Sequence, residues 1–322
     1  MSIHPEDHRD DPDHDAAALT GGALVAQRRA LVRGIRIAYE PQKEFVTALD
    51  DLVQTALLGR GLPMPGVRLL APSFSGKSTV SREYAARINA SDARPEGCVP
   101  VLYVKLDSEG SFSSLATDVL RAMGERRPDS LTPPKRWERV RRALRDNGVL
   151  LIIFDEFQRA GRRPTVHPVI AGKIMDLMED PDCSVACAFV GKTDAKAIFK
   201  ASTDLGNRLD APVEMGKLLW SEPEHREMFT RFVDAFDEAL VEQGVIVAKA
   251  GFAKPLTAQL LLESSSGMIG QFCRIVESAI MAITRRGQGG ITIPDLAEAV
   301  DEWAIGNERI NYNPFRQEAE AK

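Results

Sequence analysis

No run in this chain approaches the roughly 18 to 20 consecutive apolar residues that a membrane-spanning helix needs, so membrane association through a helix is not expected. A secretory leader is not expected either, because Met1 to Asp15 is acidic and polar where such a leader is basic and then apolar. Cysteine is scarce: Cys98, Cys183, Cys187 and Cys273 in 322 residues do not make a disulfide framework. Cys183 and Cys187 have no second Cys/His pair at zinc spacing, and Cys187 lies inside an apolar run, so both read as buried structural thiols. A cytoplasmic protein with reduced cysteines is the expectation. Internal repeats and coiled-coil heptads are absent as well.

Charge of one sign is lacking too, once the N-terminus is set aside. Glu6, Asp7, Asp10, Asp11, Asp13 and Asp15 against Arg9 account for the whole formal net charge of -5. Residues 1–15, with His4, His8 and His14, read as a disordered acidic tail. The neutral remainder neither predicts nor forbids nucleic-acid binding, so local clusters must decide.

What is present is enough apolar material, 44% of the residues, for one sizeable α/β domain and a smaller one. Residues 16–60 read as a helical segment, with Phe45, Leu49, Val53 and Leu57 on one face. Gly59 to Pro65 breaks the pattern. Residues 61–217 then carry strand-like runs at Val67–Leu70, Val99–Leu106, Val149–Phe154 and Ser184–Val190, interleaved with helical stretches. Runs apolar on both faces suit a parallel sheet covered on both sides. Thr132 followed by Pro133 predicts a helix start, and Asn147-Gly148 its end. Residues 218–304 switch to helical patterns alone and read as a small all-α lid domain, with 305–322 as a C-terminal tail.

The decisive stretch is Ala71-Pro-Ser-Phe-Ser-Gly-Lys-Ser-Thr79, which follows an apolar strand and opens a helix. Ser73, Phe74, Ser75, Gly76, Lys77, Ser78 and Thr79 are the candidate phosphate cradle. Backbone N–H groups at a helix start favour anionic phosphates. Lys77 would supply a point charge to the β and γ phosphates, and Ser78 a hydroxyl to Mg²⁺. Ala71 stands where the motif's first glycine belongs, so that turn must use an allowed backbone conformation or bear strain.

A second motif completes the site. Val149-Leu-Leu-Ile-Ile-Phe-Asp155-Glu156 is an apolar strand ending in paired acids. Asp155 would hold Mg²⁺, and Glu156 would polarise the attacking water. Paired acids suit ATPases that carry their own base. No guanine-reading Asn-Lys-x-Asp occurs, which favours ATP over GTP.

These motifs and their surroundings resemble the transposition helper ATPases of the TniB/TnsC type, which are AAA+ proteins. The resemblance runs through Ile37-Ala-Tyr-Glu-Pro41, the phosphate loop from Leu69, and Ile152 to Gln158. It continues in Ala188 to Ala195, Asn207-Arg208-Leu209, Leu218-Leu-Trp220 and Asn313-Pro-Phe315. It implies a P-loop AAA+ (ASCE) parallel-sheet ATPase domain followed by a helical lid. It also implies ATP and Mg²⁺ as cofactors, and a homo-oligomer, ring or filament, on double-stranded DNA. That assembly would select target DNA and recruit or activate a transposase. Thr193 would then reach toward the γ-phosphate, or else be a turn residue. Arg208 would act in trans on a neighbouring subunit's ATP, or else form a surface ion pair. Arg274 in the lid would sense nucleotide.

For DNA, the sequence itself offers a basic cluster at Arg121, Arg126, Arg127, Lys135, Arg136, Arg139, Arg141, Arg142 and Arg145, with a solvated helix face as the alternative. Arg159, Arg162 and Arg163 follow the paired acids, and Lys105 follows the second strand run. Such clusters give backbone binding without sequence preference. Two competing readings remain. A replication-initiator-like AAA+ ATPase ordinarily adds a winged-helix domain, for which the residues after Trp303 leave no room. In a nucleotide-gated adaptor or scaffold, turnover would be incidental.

Overall fold

The computed structural model describes residues 21–91, 97–107, 111–161 and 164–320. The acidic tail and the pair Arg162 and Arg163 lie outside the described residues. In chain order the elements are α1 (Gly21–Gly34), α2 (Glu40–Leu58), β1 (Gly66–Leu70), α3 (Lys77–Asn89), β2 (Val101–Lys105), α4 (Phe112–Ala122), α5 (Pro133–Asp146) and β3 (Leu151–Asp155). Then come α6 (His167–Met178), β4 (Ala186–Gly191), α7 (Lys196–Lys200) and α8 (Thr203–Asn207). The rest is helical: α9 (Pro223–Glu242), α10 (Pro255–Ser264), α11 (Ile269–Arg285), α12 (Ile293–Ala299), a π turn (Val300–Ile305) and α13 (Pro314–Glu320). Among the described residues no helix is long and apolar enough to cross a membrane.

Two compact units result. One comprises Ile37–Phe232 with Ser265–Phe272, and the other the described residues up to Arg36, with Val233–Ser264 and those from Cys273 onward.

The first unit is built on a four-stranded, wholly parallel sheet in the order β1-β4-β3-β2. Every residue of β3 and β4 is buried, as parallel strands covered on both faces must be. Phe154 and Phe189 stand side by side on β3 and β4 with ring centroids 5.9 Å apart, and Phe157 and Phe199 join them at 4.7 and 5.3 Å from Phe189. The outer edge of β1 is covered by the segment after α8. There the Gly66 N–H donates to Arg208 O, and the Asp210 and Val213 N–H groups donate to Gly66 and Arg68. Pro212 has no N–H to give, so the segment protects the edge without extending into a regular strand.

The register sets the site. Leu70 is level with Gly191, and Lys105 is level with Asp155. All four strands therefore end on one edge of the sheet. That edge gathers the loop after β1, the acids of β3, the turn after β4 and the end of β2, where ligands of open parallel sheets bind.

In the second unit, α9, α10, α11 and α12 supply the core, with Leu240, Leu261, Ile275, Val276 and Val300 wholly or almost wholly buried. Buried Asp237 accepts the Ala250, Gly251 and Phe252 N–H groups at 2.9, 2.7 and 3.2 Å and so organises the turn after α9. Buried Glu277 gathers Arg29, Arg33 and Arg274.

Candidate nucleotide site at the sheet edge

The loop from Ala71 to Gly76 turns directly into α3. Its left-handed positions are Phe74 (φ 66°) and Gly76 (φ 89°), and Ala71 is not among them. Ala71 is buried, its N–H donates to Gly191 O at 2.9 Å, and its methyl fits. A glycine is therefore not required there. It is required at Gly76, where a Cβ would stand 2.6 Å from Gln42 Nε2 as well as facing the positive φ. Helix α3 starts at Lys77 without a side-chain cap, leaving its first N–H groups to a ligand. From above, Tyr39 donates its hydroxyl to Ser75 O at 2.9 Å. From the side, Gly270 N–H donates to Phe74 O at 2.8 Å.

Lys77 is buried and its Nζ donates to Pro72 O at 3.0 Å, inside the loop. Burial pushes its pKa below the ordinary lysine value. Glu156 and Asp155 oppose that shift, and Lys192 adds to it. These three groups therefore lie within electrostatic reach of the ammonium. Asp155 is buried, accepting Glu156 N–H on Oδ1 at 2.8 Å and the Tyr103 hydroxyl on Oδ2 at 2.5 Å. Burial first, and then this hydrogen bond to a carboxylate, raise the Tyr103 phenol well above its usual range. Glu156 adopts a left-handed backbone (φ 59°), which swings its side chain out of the strand direction.

The other anticipated residues fall in three places. Thr193 opens the turn after β4 and is exposed at the same sheet edge, next to Lys192. Ser73 is exposed, while Ser78 and Thr79 are half-buried in the first turn of α3. Lys105 ends β2 and Arg159 closes the turn after Glu156, its Nε 3.5 Å from Glu156 Oε2. Arg208, by contrast, sits beside Gly66, at the opposite end of β1 from the phosphate loop, and is paired with Glu179. β1 advances ~3.3 Å per residue over its length, so Arg208 does not reach the loop of its own chain. Arg274 belongs to the second unit and is bound to Glu277 at 2.7 Å.

Within the basic cluster only Arg136 is buried, and the other members are exposed. Buried Arg136 donates to Pro128 O, Leu131 O, Ser113 Oγ and Thr117 Oγ1, so it holds α4 to α5. Arg121, Arg139, Arg141 and Arg145 pair with Asp129, Glu125, Asp180 and Asp182. The solvated-face alternative describes these residues better than a phosphate-binding stripe does.

Sequence reading missed Tyr103, Gln158, Lys192 and Gly270. Tyr103 had a weak signal, since a phenol in an otherwise apolar strand needs a polar partner. Gln158 and Lys192 lie within stretches that carry the resemblance, but their contacts, like that of Gly270, depend on which segments the sheet edge brings together.

The donor set fits a nucleoside triphosphate with a divalent cation. Ser75 Oγ is buried without a hydrogen-bond partner among the described residues. No group of three or more His, Cys, Asp or Glu there could hold a metal ion by itself. One carboxylate plus substrate phosphates is how Mg²⁺ is ordinarily held.

Comparison with solved structures gives the same fold. The chain resembles the Aeropyrum pernix ORC1 protein, solved in complex with DNA, at TM-score 0.63 and 14% identity, over 85% of this chain and 69% of that one. The Aeropyrum pernix ORC2 protein in its ADP form matches at TM-score 0.62 and 13% identity, over 85% and 72%. CDC6p from Pyrobaculum aerophilum matches at TM-score 0.55 and 14% identity, over 85% and 70%. No curated protein matches. The fold is that of a P-loop AAA+ ATPase. The family model described as "Bacterial TniB protein" matches residues 29–216, which contain both motifs and the whole sheet. The chain is a member of the TniB family of bacterial proteins.

Proposed function

We propose that the protein hydrolyses ATP and works as a transposition helper. In this reading it assembles as a homo-oligomer on double-stranded DNA in the cytoplasm, selects target DNA, and recruits or activates a transposase. The observation that carries the catalytic part is the meeting of Lys77, Asp155 and Glu156 at one sheet edge, with buried Lys77 feeling both carboxylates. A buried ammonium beside two acids and an uncapped helix start is an arrangement for polyphosphate, whose charge completes the balance.

The residues divide the work. The backbone from Ser73 to Thr79 wraps the phosphates, and Lys77 leaves Pro72 O for the β and γ oxygens. Ser78 and Asp155 would hold Mg²⁺, which would supply positive charge to offset the charge that develops on the phosphates. Glu156 orients water and takes its proton. Thr193 steadies the water from the turn after β4. Arg208, remote from its own loop, is available to the ATP of a neighbouring copy, and Arg274 responds to nucleotide from the lid. Lys105 and Arg159 contact DNA phosphates, as do Arg162 and Arg163. The family membership supports the transposition reading. A replication-initiator reading has the ORC and CDC6 likeness in its favour, but at 13–14% identity that likeness concerns fold.

Two measurements test the proposal. Phosphate release should be lost in Glu156→Gln with ATP binding kept, and Lys77→Ala should lose binding. Negative-stain imaging with linear duplex DNA and a non-hydrolysable ATP analogue should show rings or filaments that Lys77→Ala does not form. Turnover that persists in both variants would refute the catalytic assignment. A monomer that ignores DNA would refute the transposition reading and favour the nucleotide-gated adaptor.

A further inference from the structure

Two residues past Glu156, the side-chain amide of Gln158 has both of its ends engaged. Its Nε2 donates to Glu156 Oε2 at 2.7 Å, and its Oε1 accepts the Lys192 N–H at 2.9 Å. The left-handed backbone at Glu156 makes this return possible, by folding the 3-10 turn Phe157–Arg159 back over the carboxylate. The turn after β4 is shaped around the same amide: a Cβ on Gly191 would stand 2.6 Å from Gln158 Oε1. Gly191 has no positive φ, so the glycine there serves close approach and not backbone freedom. The amide donates to the carboxylate through nitrogen and accepts the backbone N–H through oxygen; a glutamate would repel Glu156, and an apolar isostere would leave both groups unmet.

The Glu156 side chain is 22% exposed, so without restraint it samples several rotamers. Oε2 is the oxygen that Gln158 and Arg159 address. Oε1 takes no part in those bonds and is left for the water.

We propose that Gln158 is a positioning residue for hydrolysis, its amide locking Glu156 to the Lys192-Thr193 turn so that base and turn shift together when nucleotide arrives. The inference rests on the reading of Glu156 as the base that activates water. Gln158 itself touches neither phosphate nor metal in this scheme. Its loss therefore displaces the base without weakening the cradle.

The test is ATP turnover under saturation, beside ATP affinity measured with a fluorescent analogue, for the full chain carrying Gln158→Ala. A displaced base predicts a fall in kcat of about tenfold to a hundredfold. The affinity should stay within about threefold, because binding and chemistry separate when only the transition state loses an interaction. Introduced into Glu156→Gln, the same change should alter the residual single-turnover rate less than about twofold, since it acts through the missing carboxylate. Gly191→Ala serves as the second variant, keeping every polar group; its Cβ would stand 2.6 Å from Gln158 Oε1 and 3.1 Å from Phe157 N, so the amide is its nearest contact. It should lower kcat in the wild-type background and do much less in Gln158→Ala. The proposal is overturned if Gln158→Ala keeps kcat within twofold while Glu156→Gln abolishes it, an outcome that leaves the site reading intact. Equal losses in affinity and kcat would also overturn it, by showing a purely structural role. If Glu156→Gln turns over normally, the reading of the base fails, and the positioning role fails with it.

Discussion

Restoring the motif's first glycine should make this protein worse. Ala71 is buried, lies outside the left-handed region and hands its N–H to Gly191, so the loop is already in a conformation that alanine adopts freely. Ala71→Gly removes one buried methyl, about 0.8 kcal/mol of burial. It also frees the unfolded chain, which costs the folded state about 0.4–1 kcal/mol. Together these destabilise the nucleotide-binding unit by about 1.5 kcal/mol. At an m-value of about 3 kcal/mol/M in urea, the midpoint should fall by roughly 0.5 M with m unchanged. The added loop freedom must be given up on binding, so ATP should bind about twofold to fivefold more weakly. Urea denaturation followed by fluorescence, and titration with an ATP analogue, measure the two effects. If Ala71→Gly raised the midpoint and tightened ATP several-fold, the alanine would be straining the loop, and the argument from its backbone conformation would be refuted.

Three further changes test other contacts. Gly270→Ala places a Cβ 2.7 Å from Phe74 O, so it should push the candidate phosphate loop out of shape and weaken ATP binding about tenfold or more without replacing any residue of the cradle; unchanged affinity would show that the loop yields freely. Tyr103→Phe leaves Asp155 oriented on one oxygen only, so the Mg²⁺ concentration for half-maximal turnover should rise about tenfold, and an unmoved midpoint in a Mg²⁺ titration would refute the role. Asp237→Ala strips the acceptor from three backbone N–H groups in the second unit and should destabilise it by about 2–4 kcal/mol, read as a lowered urea midpoint of its helical signal, while a loss under 1 kcal/mol would mean that water replaces the carboxylate.

The sequence alone determined where the candidate phosphate loop and the paired acids stand along the chain. A phosphate loop depends on a strand, a glycine-bearing turn and a helix start within a few residues, and Asp155-Glu156 at the end of an apolar run is equally local. Runs apolar on both faces required a parallel sheet covered on both sides, which is the sheet found. The change of texture after Pro223 likewise announced helices α9 to α12. Only the tertiary structure decided which basic residues are buried and which face acids. Arg136 is buried by the packing of α4 on α5, and Arg139, Arg141 and Arg145 find acids on other segments. It also decided that Ala71 needs no glycine, that Tyr103 holds Asp155, and that Gln158 spans Glu156 and Lys192. These contacts arise from strand register and from turns meeting at one sheet edge. Residues far apart in sequence become partners there, and no pattern within a single segment carries that information.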